Sequence, residues 1–118
     1  MPDLLAVLAA TVAAFVIGST YYSLVGGPGG ETPPWKLAVE VLRCLVLAAV
    51  VGGLAVRGDV DDLAGGLLLG LVLWAGFPLV LWAGAVVWES TPLRQAALHG
   101  GDWLVKLLAV GAIVSVWQ

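Results

Sequence analysis

Charged residues are scarce in this chain. Only 11% of its 118 residues are Asp, Glu, Lys or Arg, against about 25% in soluble domains. The apolar fraction is 61%, and a chain this short has too much surface for its volume to bury that many apolar side chains. The composition therefore excludes a soluble globular monomer and a disordered chain, and it makes lipid the expected solvent.

Residues that carry classical site chemistry are also few. Cys44 is the only cysteine and His99 the only histidine, so an intrachain disulfide is excluded and the ligand spacing of a metal site is missing. The net charge is −3 and the sequence has no basic block, so it lacks the positively charged patch that a nucleic-acid partner would need. No serine has a visible base partner and no phosphate-binding loop is present. We therefore expect no metal and no cofactor, and the pattern gives no support to an enzyme.

Long apolar runs are what the chain does contain. A membrane-spanning helix needs about 20 mostly apolar residues, and the breaks between the runs carry Gly, Pro and polar turn residues. The sequence predicts an all-α, integral membrane four-helix bundle with up-down-up-down order, formed by one domain over residues 1–118. The four predicted spans are approximately 3–24, 36–56, 62–88 and 96–117.

Short connections also predict the topology of a multi-pass protein of the cell membrane. Both termini lie on one side with the 57–61 turn, and loops 25–35 and 89–95 lie on the other, which we call the Y side. The Y side carries Lys36 and Arg94 against Arg57 on the terminal side. Because basic residues favour the cytoplasm, this margin of one residue favours termini on the outside, with dual topology as the alternative. The first run lacks a basic leader and a cleavage site, so we expect it to be retained.

Small residues mark the predicted helix contacts, because helices in lipid associate by close backbone approach. One set recurs every fourth residue along the first span, and a second pair lies in the third. Plain interhelical packing is the favoured interpretation, and a binding groove is the alternative. The residues are Ala6, Ala10, Ala14, Gly18, Gly66 and Gly70.

Pro78 lies within the third predicted span, directly after Gly76 and Phe77. Its ring nitrogen cannot donate to the carbonyl of Trp74, so we expect a helix kink there. A bend that fits the bundle is favoured over a hinge or a free carbonyl facing a polar cavity.

Five ionisable residues fall inside the predicted spans, namely Glu40, Arg43, His99, Asp102 and Lys106. The spacing is three residues from Glu40 to Arg43. In the fourth span, His99, Asp102 and Lys106 follow at intervals of three and four residues. Each of the two groups therefore lies on one face of its helix. Lys106 lies roughly 15 Å from a helix start near residue 96, close to the bilayer centre. A charge there costs about 2.5–3.5 kcal/mol on insertion scales, so these side chains are expected to face inward and pair.

Helices 2 and 4 both start on the Y side, so Glu40 and Asp102 lie at similar depths with Arg43 and Lys106 one turn deeper. Contact between the helices would pair Glu40 with Lys106 or Asp102 with Arg43. Two hypotheses follow: a structural ion-pair clamp, or a polar pocket or proton relay open to the Y side, with His99 at its mouth.

Several elements together resemble a known family. They are G18-S-T-Y-Y22, W35-K-L-A-V-E-V-L-R43, G76-F-P78, E89 and H99-G-G-D-W-L-V-K106. This order is similar to that of the small actinobacterial four-helix membrane proteins of domain-of-unknown-function family 1761. The resemblance covers nearly the whole chain and implies the four-span fold without an activity. Broader members of the family have a less charged fourth helix, so the resemblance implies no role for Asp102 or Lys106.

Two functional hypotheses remain from the sequence. The first is a small transporter or an ion- or proton-conducting protein, expected to form a homo-oligomer because four helices enclose little lumen, with an unknown small-molecule or ion substrate. The second is a non-transport accessory or packing protein that binds a lipid or another membrane protein.

Overall fold

The computed structural model describes the backbone of residues 3–25 and 33–117, and the side chains of 3–21 and 33–117. All regular structure in these ranges is helical, which confirms the all-α class. Gly30 and most of the 25–35 loop lie outside the described residues. The helices are α1 Leu4–Val25, α2 Pro34–Arg57, α3 Leu63–Gly76, α4 Pro78–Trp88 and α5 Leu93–Val116.

Within the described residues, four segments are long and apolar enough to cross a membrane, in agreement with the predicted four-span bundle. They are Leu4–Tyr21, Pro34–Arg57, Leu63–Trp88 and Leu93–Val116, so α3 and α4 together form the third span. Helix α2 begins at Pro34 and α5 at Leu93, two and three residues earlier than the sequence estimates of 36 and 96. Proline suits a first helical position because the N–H it lacks has no partner there.

The third span is interrupted at Phe77. Its backbone angles, φ −122° and ψ −77°, leave the helical region. Its N–H still donates to the Leu73 carbonyl at 3.0 Å, and its own carbonyl accepts from Leu81 N–H at 2.9 Å. Pro78 starts α4 and is buried. The interruption lies where Pro78 removes one donor from the helical ladder.

Helix α5 is the central element of the bundle, since it packs against α1, α2, α3 and α4. It runs antiparallel to α1, as Gly18 adjoins Lys106 and Tyr21 adjoins Gly101. It is also antiparallel to α3. Its buried positions recur at helical spacing from the Y-side end to the far end and include Gly100, Asp102, Lys106, Val110, Gly111 and Val114.

Small residues allow the helices to approach closely. Ala6, Ala10, Ala14 and Gly18 of α1 are all buried. In α3, a Cβ added to Gly66 would collide with the Gly111 carbonyl of α5, and one added to Gly70 would collide with the Leu107 carbonyl. Backbone-to-backbone contact of this kind is the usual way that helices associate in lipid.

The outer surface of the bundle is apolar. Exposed leucines, valines and aromatic residues occur along every span, among them Leu4, Val12, Val46, Leu68, Val80 and Val105. A surface of this composition is stable in hydrocarbon and unfavourable in water. The polar groups of the spans are therefore the exceptions that need an explanation.

Candidate functional site: a charge cluster beside a lateral groove

Lys106 lies at the centre of a charge cluster formed by Glu40, Arg43, Asp102 and Lys106. Its ammonium nitrogen is 2.9 Å from Asp102 Oδ2, one turn earlier on α5, and 3.6 Å from Glu40 Oε1 on α2. Lys106 is only 7% exposed and Asp102 only 3%. Two opposite charges are thus paired in the interior, which is the arrangement that makes a buried charge tolerable.

Glu40 connects the buried pair to the surface of the bundle. Its second oxygen, Oε2, accepts from Arg43 Nη1 at 2.8 Å. The Glu40 side chain is 34% exposed and the Arg43 side chain 59%. Charges therefore alternate from Asp102 through Lys106 and Glu40 to Arg43, and their formal sum is zero. Of the two interhelical pairings that the sequence allowed, the structure has Glu40 with Lys106.

Gly18 of α1 makes room for this cluster. A Cβ at that position would lie 2.9 Å from both Cε and Nζ of Lys106, and 3.9 Å from Asp102 Oδ1. The Oδ1 atom is itself buried and has no hydrogen-bond partner among the described residues. The glycine that ends the small-residue stripe of α1 thus belongs to the wall of the charged site.

His99 is directed to a different helix from the cluster. Its ring stacks on Trp82 of α4, with centroids 4.8 Å apart and planes inclined by 14°. Nearby, Trp74 Nε1–H donates to the Gly100 carbonyl at 2.8 Å. Asp102 and Lys106 instead adjoin Gly18 of α1. The sequence predicts His99 at the Y-side mouth of the cluster, and the structure shows its ring packed against the third span.

The bundle also has a lateral groove, which none of the four cluster residues lines. It has a volume of about 670 Å³ and runs between α2, the α3–α4 junction and α5. It exists because α2 and the third span both pack against α5 but make no extended contact with each other. Residues that line it include Leu47, Val50, Leu54, Phe77, Leu81 and Trp103.

The groove opens sideways toward the bilayer. Val50, Phe77 and Leu81 line it and are each more than half exposed. Pro78 is buried at its wall, so the helix break contributes to its shape. Sequence reasoning did not identify these residues as a site, because each alone is an ordinary apolar residue of a span. The spacing of Arg43, Leu47, Val50 and Leu54 on one face of α2 was the available signal.

The described part of the chain holds no group of three His, Cys, Asp or Glu side chains placed to bind a metal ion. The charged side chains of the cluster instead form ion pairs with one another. What the arrangement offers chemically is a set of charge-assisted hydrogen bonds within the cluster and, apart from it, an apolar groove.

Four apolar helices around a buried ion pair define a polytopic helical membrane protein of unassigned activity. Residues 5–115 match the family model described as "Protein of unknown function (DUF1761)", so the chain belongs to this family. The resemblance seen in the sequence is thereby confirmed. No curated protein and no solved structure matches the chain.

Proposed function

We propose that this protein is a non-transport membrane protein that binds a molecule of the bilayer in its lateral groove. The observation that carries the proposal is an open apolar groove of about 670 Å³. Binding sites for small molecules range from about 300 to 1,000 Å³ and are mostly apolar with few polar groups. A groove at membrane depth that opens to the side is accessible to a lipid without passage through water.

The charge cluster supports this proposal rather than transport. Lys106 contacts both Asp102 and Glu40, so each carboxylate already has a cationic partner. A polar path for a substrate would require charges that face a hydrated space. The Asp102–Lys106 pair within α5 is instead almost fully buried. The contact of Lys106 with Glu40 joins α5 to α2, which suits a structural clamp.

The test of this proposal is retention of lipid by the purified protein. Val50→Trp fills the groove from a position already 55% exposed, so it leaves the core unchanged. Val12→Trp is the matched control, because Val12 is exposed on α1, which contributes no residue to the groove. Native mass spectrometry from detergent should show bound lipid on the wild type and on Val12→Trp, and much less on Val50→Trp. Equal retention by all three proteins would reject groove binding.

A proton-conducting or transport function is the second candidate, and one observation favours it. Asp102 Oδ1 is buried beside Gly18, and no residue in the described ranges gives it a hydrogen bond. A buried acceptor of this kind is unfavourable and would be satisfied by a hydrogen-bond donor such as a water molecule. The position lies on the Y-side half of α5, one turn from Lys106.

Proteoliposomes with an enclosed pH-sensitive dye test that candidate. A conducting protein would dissipate an imposed pH gradient, and Asp102→Asn would abolish the flux. Gradients that persist equally with the wild type, Asp102→Asn and empty liposomes would leave lipid binding as the function. The same preparation reports homo-oligomer formation by cross-linking, the assembly that a conducting protein of four spans is expected to need.

A further inference from the structure

We infer that the groove holds the hydrocarbon chain of a zwitterionic lipid from the terminal-side leaflet, with the ammonium headgroup at the turn between α2 and α3. The inference rests on the proposed function and names the class and the orientation of its ligand. Three observations carry it: the apolar lining of the groove, the unequal depth of its two ends, and the charges of the turn at its shallow end.

The lining of the groove is suited to hydrocarbon. Every lining residue in the described ranges is Leu, Val, Gly, Phe, Pro or Trp. Sites of this kind fix the orientation of a ligand through the few polar groups that they hold. Because the groove lining has no charged group, the groove can enclose a chain, and a polar headgroup must lie beyond one of its ends.

The two ends of the groove lie at different depths. At one end, Leu54 is three residues, about 4.5 Å along the axis, from the end of α2 at Arg57. At the other end, Leu81 is seven residues, about 10 Å, from the end of the third span at Trp88. The groove therefore comes close to the terminal-side surface and stops well short of the Y-side surface.

This difference in depth decides the leaflet. Half of the hydrocarbon core is about 15 Å thick. A lipid of the terminal-side leaflet enters the groove at Leu54, just below the headgroup level, and its chain can continue past Trp103 toward Leu81. A lipid of the Y-side leaflet would leave roughly the first 10 Å of its chain outside, about two thirds of its leaflet. The terminal-side lipid therefore buries more hydrocarbon.

Arg57 lies at the shallow end of the groove. It follows Leu54 by three residues and Val50 by seven, which puts it on the same face of α2 as these lining residues. Its side chain is exposed. A guanidinium binds phosphate oxygens through two parallel N–H donors, so the phosphate of the lipid is expected beside Arg57.

Carboxylates of the turn select the rest of the headgroup. Residues 58–62 join α2 to α3, so they cross the terminal-side end of the space between these helices. Asp59 and Asp61 are exposed in this turn, and Asp62 caps α3. Three carboxylates against Arg57 attract an ammonium group and repel a headgroup of net negative charge. A phospholipid with a primary ammonium, such as phosphatidylethanolamine, complements both signs.

Photo-reactive phosphatidylethanolamine tests the orientation. One probe carries a diazirine at the end of the acyl chain and the other next to the glycerol, and each is placed in nanodiscs with the full chain. Mass spectrometry of peptides after illumination locates the adduct. The chain-end probe should label the segment around Phe77 and Leu81, and the glycerol-proximal probe the segment around Leu54.

The groove-filling variant shows which labelling comes from the groove. Labelling that Val50→Trp loses and Val12→Trp keeps is assigned to it. The reverse pattern, with the glycerol-proximal probe near Leu81, identifies a lipid of the Y-side leaflet and overturns the inference while the groove is upheld. Equal labelling of both ends by each probe also overturns it. If Val50→Trp loses no labelling, the groove itself is wrong.

The headgroup is tested with phosphatidylethanolamine and phosphatidylglycerol of identical acyl chains. Native mass spectrometry should show that the wild type prefers phosphatidylethanolamine. Asp59→Asn combined with Asp61→Asn should lower this preference by about fivefold or more, in keeping with the contribution of single charges to lipid binding. Asparagine suits position 59, where φ is 54°, because it tolerates the left-handed region.

Glu89→Gln is the matched control, because it removes an exposed carboxylate at the Y-side end of the third span. It should retain the preference of the wild type. Equal affinity of the wild type for the two lipids, or an unchanged preference in the Asp59→Asn and Asp61→Asn double variant, overturns the inference.

Discussion

The Asp102–Lys106 pair is the most constrained polar feature at the residue scale. Removal of one partner of a buried ion pair leaves the other charge without compensation, whereas replacement of both by apolar residues is often neutral or stabilising. Lys106 has a near partner on its own helix at 2.9 Å and a more distant one on α2 at 3.6 Å. We therefore expect the ion pairs of Lys106 with Asp102 and with Glu40 to contribute unequally to the stability of the protein.

We expect Lys106→Met to destabilise the protein by about 3–5 kcal/mol. Addition of Asp102→Leu should recover much of this loss, since an apolar pair needs no compensation in lipid. Unfolding in detergent of the single and double variants forms a double-mutant cycle, which yields the coupling free energy.

The same cycle with Glu40→Leu should give a smaller coupling, because Glu40 is farther away and one third exposed. Coupling of Lys106 to Glu40 would measure the contact between α5 and α2. If both couplings fall below about 0.5 kcal/mol, water reaches the cluster and the dry clamp is wrong.

The Trp74 indole gives a second prediction at this scale. Its Nε1–H donates to the Gly100 carbonyl of α5 at 2.8 Å, which links the third span to α5 close to His99. Trp74→Phe keeps an aromatic ring and removes the donor. We expect a loss of about 0.6 kcal/mol, and at most roughly 1.7, as for other interhelical hydrogen bonds in membranes. A loss of several kcal/mol on thermal or denaturant unfolding would show that packing of the indole dominates.

At the scale of the elements, contact between α3 and α5 depends on glycine. The space beside Gly66 and Gly70 is taken by backbone atoms of α5, which cannot rotate away as a side chain can. The same spacing of small residues was visible in the sequence, but the partner helix was not. Gly111 of α5 faces Gly66 in return, so both helices contribute small residues to one contact.

Gly70→Ala should therefore force α3 away from α5 and cost about 1–3 kcal/mol, the range for overpacked sites. Gly84→Ala is the control, since a Cβ at Gly84 meets no atom within 4 Å and alanine favours the helix by about 0.5–1 kcal/mol over glycine. Thermal unfolding in detergent measures both. Equal stability of Gly70→Ala and the wild type would contradict the backbone contact.

The ends of the elements follow local chemistry. Asp62 caps α3, because its Oδ1 accepts from Gly65 N–H at 2.8 Å. Pro34 and Pro78 begin α2 and α4, where a missing N–H costs nothing. These signals are local in sequence, and for this reason the starts of the helices were predictable to within about three residues.

At the scale of the whole molecule, the bundle is organised by its most polar span. Helix α5 carries His99, Asp102 and Lys106 and also contacts every other helix. The two facts have one cause: charged side chains in lipid must face protein, so the helix that carries the buried Asp102–Lys106 pair lies at the centre. The more apolar α3 and α4 have outward faces suited to lipid.

Topology gives the prediction at this scale. In a four-span protein the turn at Asp59 and the start of α5 at Gln95 lie on opposite membrane faces. Asp59→Cys and Gln95→Cys, each in a Cys44→Ser background, should therefore react with an impermeant thiol reagent from opposite sides. The positive-inside rule places Gln95 in the cytoplasm. Labelling of both from one side would contradict four spans, and labelling of each from both sides would indicate dual topology.

Four properties were predictable from the amino-acid order alone: a lipid environment, the number of spans, the family, and the polar residues that need partners. These follow from composition, run length and residue order, all of which are local. Three contacts became visible only in the folded structure. Glu40 pairs with Lys106, and His99 stacks on Trp82. Gly18 forms a wall of the charged site. The lateral groove also depends on the tertiary structure, because it is the space left where α2 and the third span both pack against α5 without extended contact between them. Helical periodicity gives the face on which a residue lies, but the neighbour of that face is decided by how all four spans pack.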